Sequence, residues 1–124
     1  MKTINLTQHP ASPEQAADGV FDLIGKDRHD LLAALNFEAV PTAAEIYDRA
    51  VALRCLAVKN GAEAAMIGGA LWLMSELERQ LFANYIAPVY AFSRRETHEE
   101  SQADGSVRKV SVFRHVGFVQ AVAP

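Results

Sequence analysis

The stretch Ala64–Leu81, AAMIGGALWLMSELERQL, changes its hydrophobic period in the middle. Ala64 to Ile67 is an unbroken apolar run, the pattern of a strand buried on both faces. Gly68-Gly69 interrupts it. Leu73, Leu77 and Leu81 then recur at every fourth position, with Met74 and Tyr85 beside them, which is the stripe of a helix resting on a core. A buried strand, a glycine turn and an amphipathic helix in that order form half of a parallel βαβ unit. The fold class depends on whether the flanking sequence supplies the other strands.

Upstream, Thr3 to Thr7 alternates Ile4 and Leu6 with polar residues and predicts a first strand. A turn through Gln8, His9, Pro10 and Ala11 leads to Ser12, with Pro13 behind it and Gln15 three positions on, a capping-box start for a helix that Gly19 ends. Val20 to Ile24 reads as either a second strand or a buried connection. Asp27 is a candidate cap for a short helix carrying Leu31, Leu32 and Leu35. A second box, Thr42 with Glu45, opens a longer helix whose stripe is Ile46, Ala50, Leu53 and Ala57, and Asn60-Gly61 close it. Downstream, Val89 to Ser93 is strand-like, Asp104-Gly105 signals a hairpin, and Val107 to Val119 returns with Val110, Val112, Arg114 and Val116 on one face. Read as a two-residue turn, Asp104-Gly105 sets Glu100 opposite Lys109 and Arg94 opposite His115. The order predicts one α/β domain over residues 1–124, with a Rossmann-like, mostly parallel sheet, helices on both faces and an antiparallel C-terminal β-hairpin at the edge.

Composition narrows the function classes. The chain has 124 residues, 50% hydrophobic and 22% charged, which is enough apolar material for one core. A net charge of −3 gives no footprint for duplex nucleic acid. A single cysteine, Cys55, excludes a disulfide framework and a multi-cysteine metal site, and its helical position suits a half-buried structural thiol. The start MKTINLTQHP lacks the apolar core of a secretory signal, and no window approaches the roughly 18 apolar residues of a membrane span. The expected compartment is the cytoplasm. No cofactor motif is present, and no metal site is expected.

In open parallel sheets ligands bind outside the carboxyl ends of the strands. That rule gathers Thr7, Gln8 and His9 from the first strand, Gly68 and Gly69 from the central one, and Ser93 and Arg94 from the Val89 strand. The returning hairpin strand adds Arg114 and His115. Each has two readings. The diglycine lets backbone N–H groups approach a phosphate at a helix start, and it is also the plainest strand-to-helix turn. Trp72 lies off the leucine stripe, where a ring can stack on it, or where it packs under a loop or against a second copy. His9 and His115 suit general acid–base chemistry or loop capping. Arg94, Arg95 and Arg114 suit a phosphate or carboxylate, or pairing with Glu96, Glu99 and Glu100. His98 with Glu96 and Glu100 is a weak metal pattern and reads better as a solvated hairpin face.

The segments NLTQHPASPEQ (Asn5–Gln15), MIGGALWLMSELERQL (Met66–Leu81), YAFSRRE (Tyr90–Glu96) and DGSVRKVSVFRHVGFV (Asp104–Val119) resemble a small family of uncharacterised bacterial and phage proteins. The start, a strand into H-P and then P-E-Q, is also similar to small CRISPR-associated proteins of CARF-like, Rossmann-like fold. Some of these bind cyclic oligoadenylates and some cleave them without metal, as ring nucleases. The hairpin Arg94–Val119 departs from that pattern. The resemblance implies a homodimer with one ligand across its two-fold axis, lined by Thr7, Gln8, His9, Gly68, Gly69 and Ser93. Two functions are therefore expected. One is a binding domain for a nucleotide-like or other anionic small ligand, extending to cyclic oligonucleotide binding or cleavage. The other is a non-catalytic accessory protein acting through a dimer or protein interface. Whether a reaction is catalysed stays open at this point.

Overall fold

The structure, a computed structural model, describes Met1–Pro124. Nine elements follow one another: β1 (Thr3–Asn5), α1 (Pro13–Ala17), β2 (Val20–Phe21), α2 (Gly25–Leu35), α3 (Ala43–Lys59), β3 (Ala64–Met66), α4 (Leu71–Ala83), β4 (Ala87–Ser101) and β5 (Val107–Gln120). They form one five-stranded sheet in the order β2-β1-β3-β4-β5. The β1–β2, β1–β3 and β3–β4 pairs are parallel, and β4–β5 is antiparallel. The chain first crosses from β1 outward to β2, then returns past β1 to β3. Crossovers of this kind are right-handed, so the change of direction sends α1 to one face and the later helices to the other.

The two faces are unequal. Ile4, Leu6, Ala65 and Ile67 point to the face covered by α2, α3 and α4, and meet Leu31, Leu35, Leu53, Leu73, Leu77 and Leu81 in the main core. Burying each of those leucines contributes roughly 1.5–3 kcal/mol. The opposite face carries a small cluster, Val20, Ala64, Met66 and Val89, under Ala11 and Phe118. Its only helix is α1, none of whose residues is buried. Thr3 and Asn5 face that thinner side and are nonetheless 3% and 0% exposed.

Local signals account for most element ends. Ser12 and Gln15 form the full reciprocal capping box. Thr42 accepts from the Glu45 amide, but the Glu45 carboxylate turns to Arg49 instead of closing a second box. Asp27 does not cap α2. It sits in the first turn, where hydrogen bonds from Lys59 (2.7 Å) and then Asn60 (3.3 Å) hold its carboxyl below the usual range and tie α2 to the end of α3. Val20–Phe21 is a strand. Cys55 is exposed, not half-buried. No helix is long and apolar enough to cross a membrane.

The hairpin departs from its expected register for a stated reason. Gly105 N–H donates to the Gln102 carbonyl, and Gln102 N–H to that of Ser106, with Gly105 at φ +85°. This is a turn closed by a left-handed glycine, one residue longer than the two-residue form. Glu100 therefore faces Arg108 and Arg94 faces Arg114, until a bulge between Phe92 and Ser93 restores the expected register nearer the core.

Tyr85, expected beside the α4 stripe, is 96% exposed and holds φ +59°. The Ile86 amide bonds the Leu81 carbonyl and the Tyr85 amide that of Phe82, a Schellman ending with tyrosine where glycine is usual. The left-handed region costs a non-glycine residue about 1–2 kcal/mol, and glycine's larger unfolded-state entropy offsets about half of that. Tyr85→Gly should thus raise stability by about 0.5–1 kcal/mol in urea denaturation. A loss of stability would show that the ring makes a contact the exposed position does not suggest.

Candidate functional site

A cleft of about 870 Å³ opens at the carboxyl ends of β1 and β3. This is where the strand order reverses, between the crossover to β2 and the return to β3. Its floor is Met66 and Ile67, one wall is the Thr7–Pro10 loop with Gln15 of α1, and the other is the turn Leu35–Phe37 after α2. The β3–α4 turn supplies Gly68, Gly69, Leu71 and Trp72, and β4 contributes Tyr90 and Ala91.

The Thr7–Pro10 loop is shaped by a residue that sequence reasoning missed. The Asn5 side chain, fully buried, donates through Nδ2 to the His9 carbonyl and to Asp22 Oδ1, both at 2.8 Å. Its Oδ1 accepts from the Thr7 amide at 2.9 Å and the Thr7 hydroxyl at 2.7 Å. Asp22, just after β2, also accepts from the Ala11 amide. One carboxamide thus ends β1 at Asn5, turns the loop and ties it to β2. Arg28 adds a longer bond, 3.4 Å, to the Gln8 carbonyl. The loop presents a half-buried Thr7 and exposed Gln8 and His9 to the cleft.

The diglycine makes the second contribution. Gly69 holds φ +101°, a left-handed backbone that requires glycine, whereas a Cβ added at Gly68 would meet only open space. The first residue outside α4 is Ala70, which provides no side-chain cap, and the first turn has no acidic residue. The Leu73 amide turns back to the Ala70 carbonyl at 3.1 Å, so the N–H groups of Leu71 and Trp72, both cleft-lining residues, stand without a side-chain cap at the positive end of the helix dipole.

The Leu35–Phe37 wall is held from behind. Arg49 Nη1 donates to the carbonyls of Ala33 (2.9 Å) and Ala34 (3.1 Å) and to Asn36, while Nη2 meets Glu45 at 3.0 Å. This closes the carboxyl end of α2 and fixes Asn36 and Phe37. On β4, the Tyr90 hydroxyl donates to Glu78 Oε2 at 2.5 Å. Burial, and then that carboxylate, hold the phenol well above the usual tyrosine range, so Tyr90 stays protonated.

Of the residues expected at the site, Thr7, Gln8, His9, Gly68, Gly69 and Trp72 are brought together. Ser93, Arg94, Arg114 and His115 do not line this cleft. The reason is the length of β4. It does not stop at Ser93 but runs on to Ser101, so these residues ride on the projecting ribbon, and Ser93 lies about 10 Å beyond Tyr90 at the usual strand rise. Arg114 pairs with Glu96 (2.8 Å) and approaches Glu14 (3.7 Å). His115, its side chain 6% exposed, meets Asp18 at 2.8 Å, and its backbone amide donates to Glu14. These contacts dock the root of the ribbon on α1. His98 contacts Glu100 at 3.2 Å on the exposed ribbon. Consequently no lysine, arginine, aspartate or glutamate lines the cleft.

A family model for the uncharacterized protein MJ1673 family matches residues 1–119. The chain belongs to that family. The match takes in every strand of the sheet except the last residue of β5, and all of the cleft. No curated protein and no solved structure matches the chain.

Asn5→Ala should cost about 1–3 kcal/mol, because one fully buried carboxamide that makes four hydrogen bonds is lost, leaving Thr7 and Asp22 to find other partners. Gln8→Ala, on the same loop but exposed, should stay within about 0.5 kcal/mol of the parent. Chemical denaturation of the two variants makes the comparison. Equal effects would remove Asn5 from its organising role.

Proposed function

We propose that the chain binds a small, nucleotide-like anionic ligand in the cleft between β1 and β3. The observation that carries this reading is the uncapped start of α4 behind Gly68-Gly69, opening into a cleft at the point where strand order reverses. Backbone N–H groups and the helix dipole supply the positive potential that the lining side chains lack. The Rossmann-like reading of the sheet supports the same location, since dinucleotides and mononucleotides occupy that crevice in such folds. The resemblance of Asn5–Gln15 to CARF-like proteins adds cyclic oligonucleotides to the ligand class. His9 is the one histidine of the cleft lining, and it is the candidate general acid or base for any cleavage step.

A thermal-shift screen against mononucleotides, cyclic oligonucleotides and sugar phosphates tests this. A ligand present at a hundred times its Kd adds roughly 2.7 kcal/mol of apparent stability. Gly68→Val is the matched variant, because its side chain would enter open space. It should fold like the parent and lose at least tenfold in affinity. Undiminished binding would place the ligand elsewhere, and no stabilisation by any of the compounds would remove the reading.

A second reading, an accessory protein working through a homodimer or another protein surface, is supported by the ribbon. Phe92 and Phe113 are 53% and 77% exposed on β4 and β5, and two strands alone are marginally stable in water. Light scattering at micromolar concentration should give twice the monomer mass, falling to the monomer for Phe113→Glu. A monomer mass for the parent would sink this second reading.

A further inference from the structure

We infer that the ligand carries a planar heteroaromatic ring, and that Trp72, braced by Phe37 and Arg49, is the platform on which it stacks. The inference rests on the cleft being a ligand site and adds the side chain that selects for the ring of what enters it. Trp72 stands in the first turn of α4, half exposed, in the cleft wall. Phe37 meets it edge-to-face, with ring centroids 5.6 Å apart and planes at 82°. In that geometry Phe37 occupies at most one π-face of the indole, and Trp72 remains 53% exposed. Phe37 is in turn fixed by the Arg49 guanidinium, 4.6 Å from its ring centre. Arg49 cannot swing away without abandoning the carbonyls that end α2 and the Glu45 carboxylate. A large aromatic surface is thus held rigid beside a cleft instead of being folded into the core.

The rest of the lining matches the same ligand. The Gln8 carboxamide offers both a donor and an acceptor, as the edge of a heteroaromatic ring requires, while Gln15 keeps its Nε2 donor beside the Oε1 that accepts from the Ser12 amide, and Asn36 keeps its Oδ1 acceptor beside the Nδ2 that reaches Glu38. No lysine, arginine, aspartate or glutamate lines the cleft in front of the platform, and Arg49 stands on Phe37 outside that lining. A sugar phosphate or a dicarboxylate would use the N–H groups at Gly68-Gly69 and leave Trp72 wet. A nucleotide uses both.

Trp72 is the single tryptophan, so its emission reports the platform directly. The probes are adenosine 5′-monophosphate, a cyclic tetra-adenylate and ribose 5-phosphate, each measured by calorimetry and by tryptophan quenching. At least one adenine-bearing probe should bind tenfold or more tighter than ribose 5-phosphate and should quench Trp72. Trp72→Leu should lose about tenfold or more for that probe and leave ribose 5-phosphate unchanged, while Trp72→Phe should retain most of the affinity. A structural role alone would weaken both ligands alike. If ribose 5-phosphate binds as well as the adenine probes, the ring inference fails while the anion site stands. If none of the three binds, the cleft reading itself fails and takes the platform with it. Emission that shifts with protein concentration without any probe would mean that a second copy covers Trp72, which also overturns the inference.

Discussion

A single carboxamide with no access to water sets the shape of the cleft. Asn5 is the last residue of β1, and its side chain uses both hydrogens and both lone pairs inside the protein. Aspartate at this position could not donate to the His9 carbonyl and would face the Asp22 carboxylate. Leucine would leave the Thr7 amide and the Asp22 carboxylate without their partner. Asparagine satisfies every group, and a fully satisfied buried polar network specifies one conformation where an apolar side chain would allow several. The loop that carries Thr7, Gln8 and His9 is therefore as well defined as the strand it leaves.

That loop matters because of where the sheet places it. The reversal of strand order leaves a gap above β1 and β3 that neither crossover fills, and the uncapped start of α4 opens into the same gap. The charged residues of the C-terminal third are spent elsewhere. Arg114, His115, Glu14, Asp18 and Glu96 form the joint between α1 and the ribbon. The division leaves a cleft with an aromatic wall and no lysine, arginine, aspartate or glutamate in its lining, and keeps the ionic joint outside it. Under the proposed function, recognition in such a cleft would rest on backbone amides, a helix dipole and stacking, a combination suited to a compact anion joined to a flat ring.

The sequence made the local features legible and hid the non-local ones. The Ser12–Gln15 box, the leucine stripe of α4 and the strand–diglycine–helix unit each lie within a few residues, so their pattern was sufficient. The grouping of Thr7, Gln8, His9, Gly68 and Gly69 follows from the carboxyl ends of the strands, and that of Trp72 from its place off the leucine stripe in the first turn of α4. The end of β4 was not legible, because beyond Phe92 polar residues appear on both faces and no alternation marks where the core stops. Ser93, Arg94, Arg114 and His115 were assigned to the strand ends for that reason. The Asp104-Gly105 pair signalled a hairpin correctly, but the glycine serves the last position of a longer turn, and the register moved with it. Asn5–Asp22 and Arg49–Phe37–Trp72 depend on contacts between distant segments, and nothing in their local spacing announced them.

Amide chemical-shift mapping of labelled protein, titrated with adenosine 5′-monophosphate and with a cyclic tetra-adenylate, decides whether the β1–β3 cleft is the ligand site. Perturbations should concentrate at Thr7, His9, Gly68, Gly69 and the first turn of α4, with the ribbon beyond Ser93 unmoved. Perturbations centred on Arg94, Arg114 and His115, or none at all for either compound, would contradict that assignment.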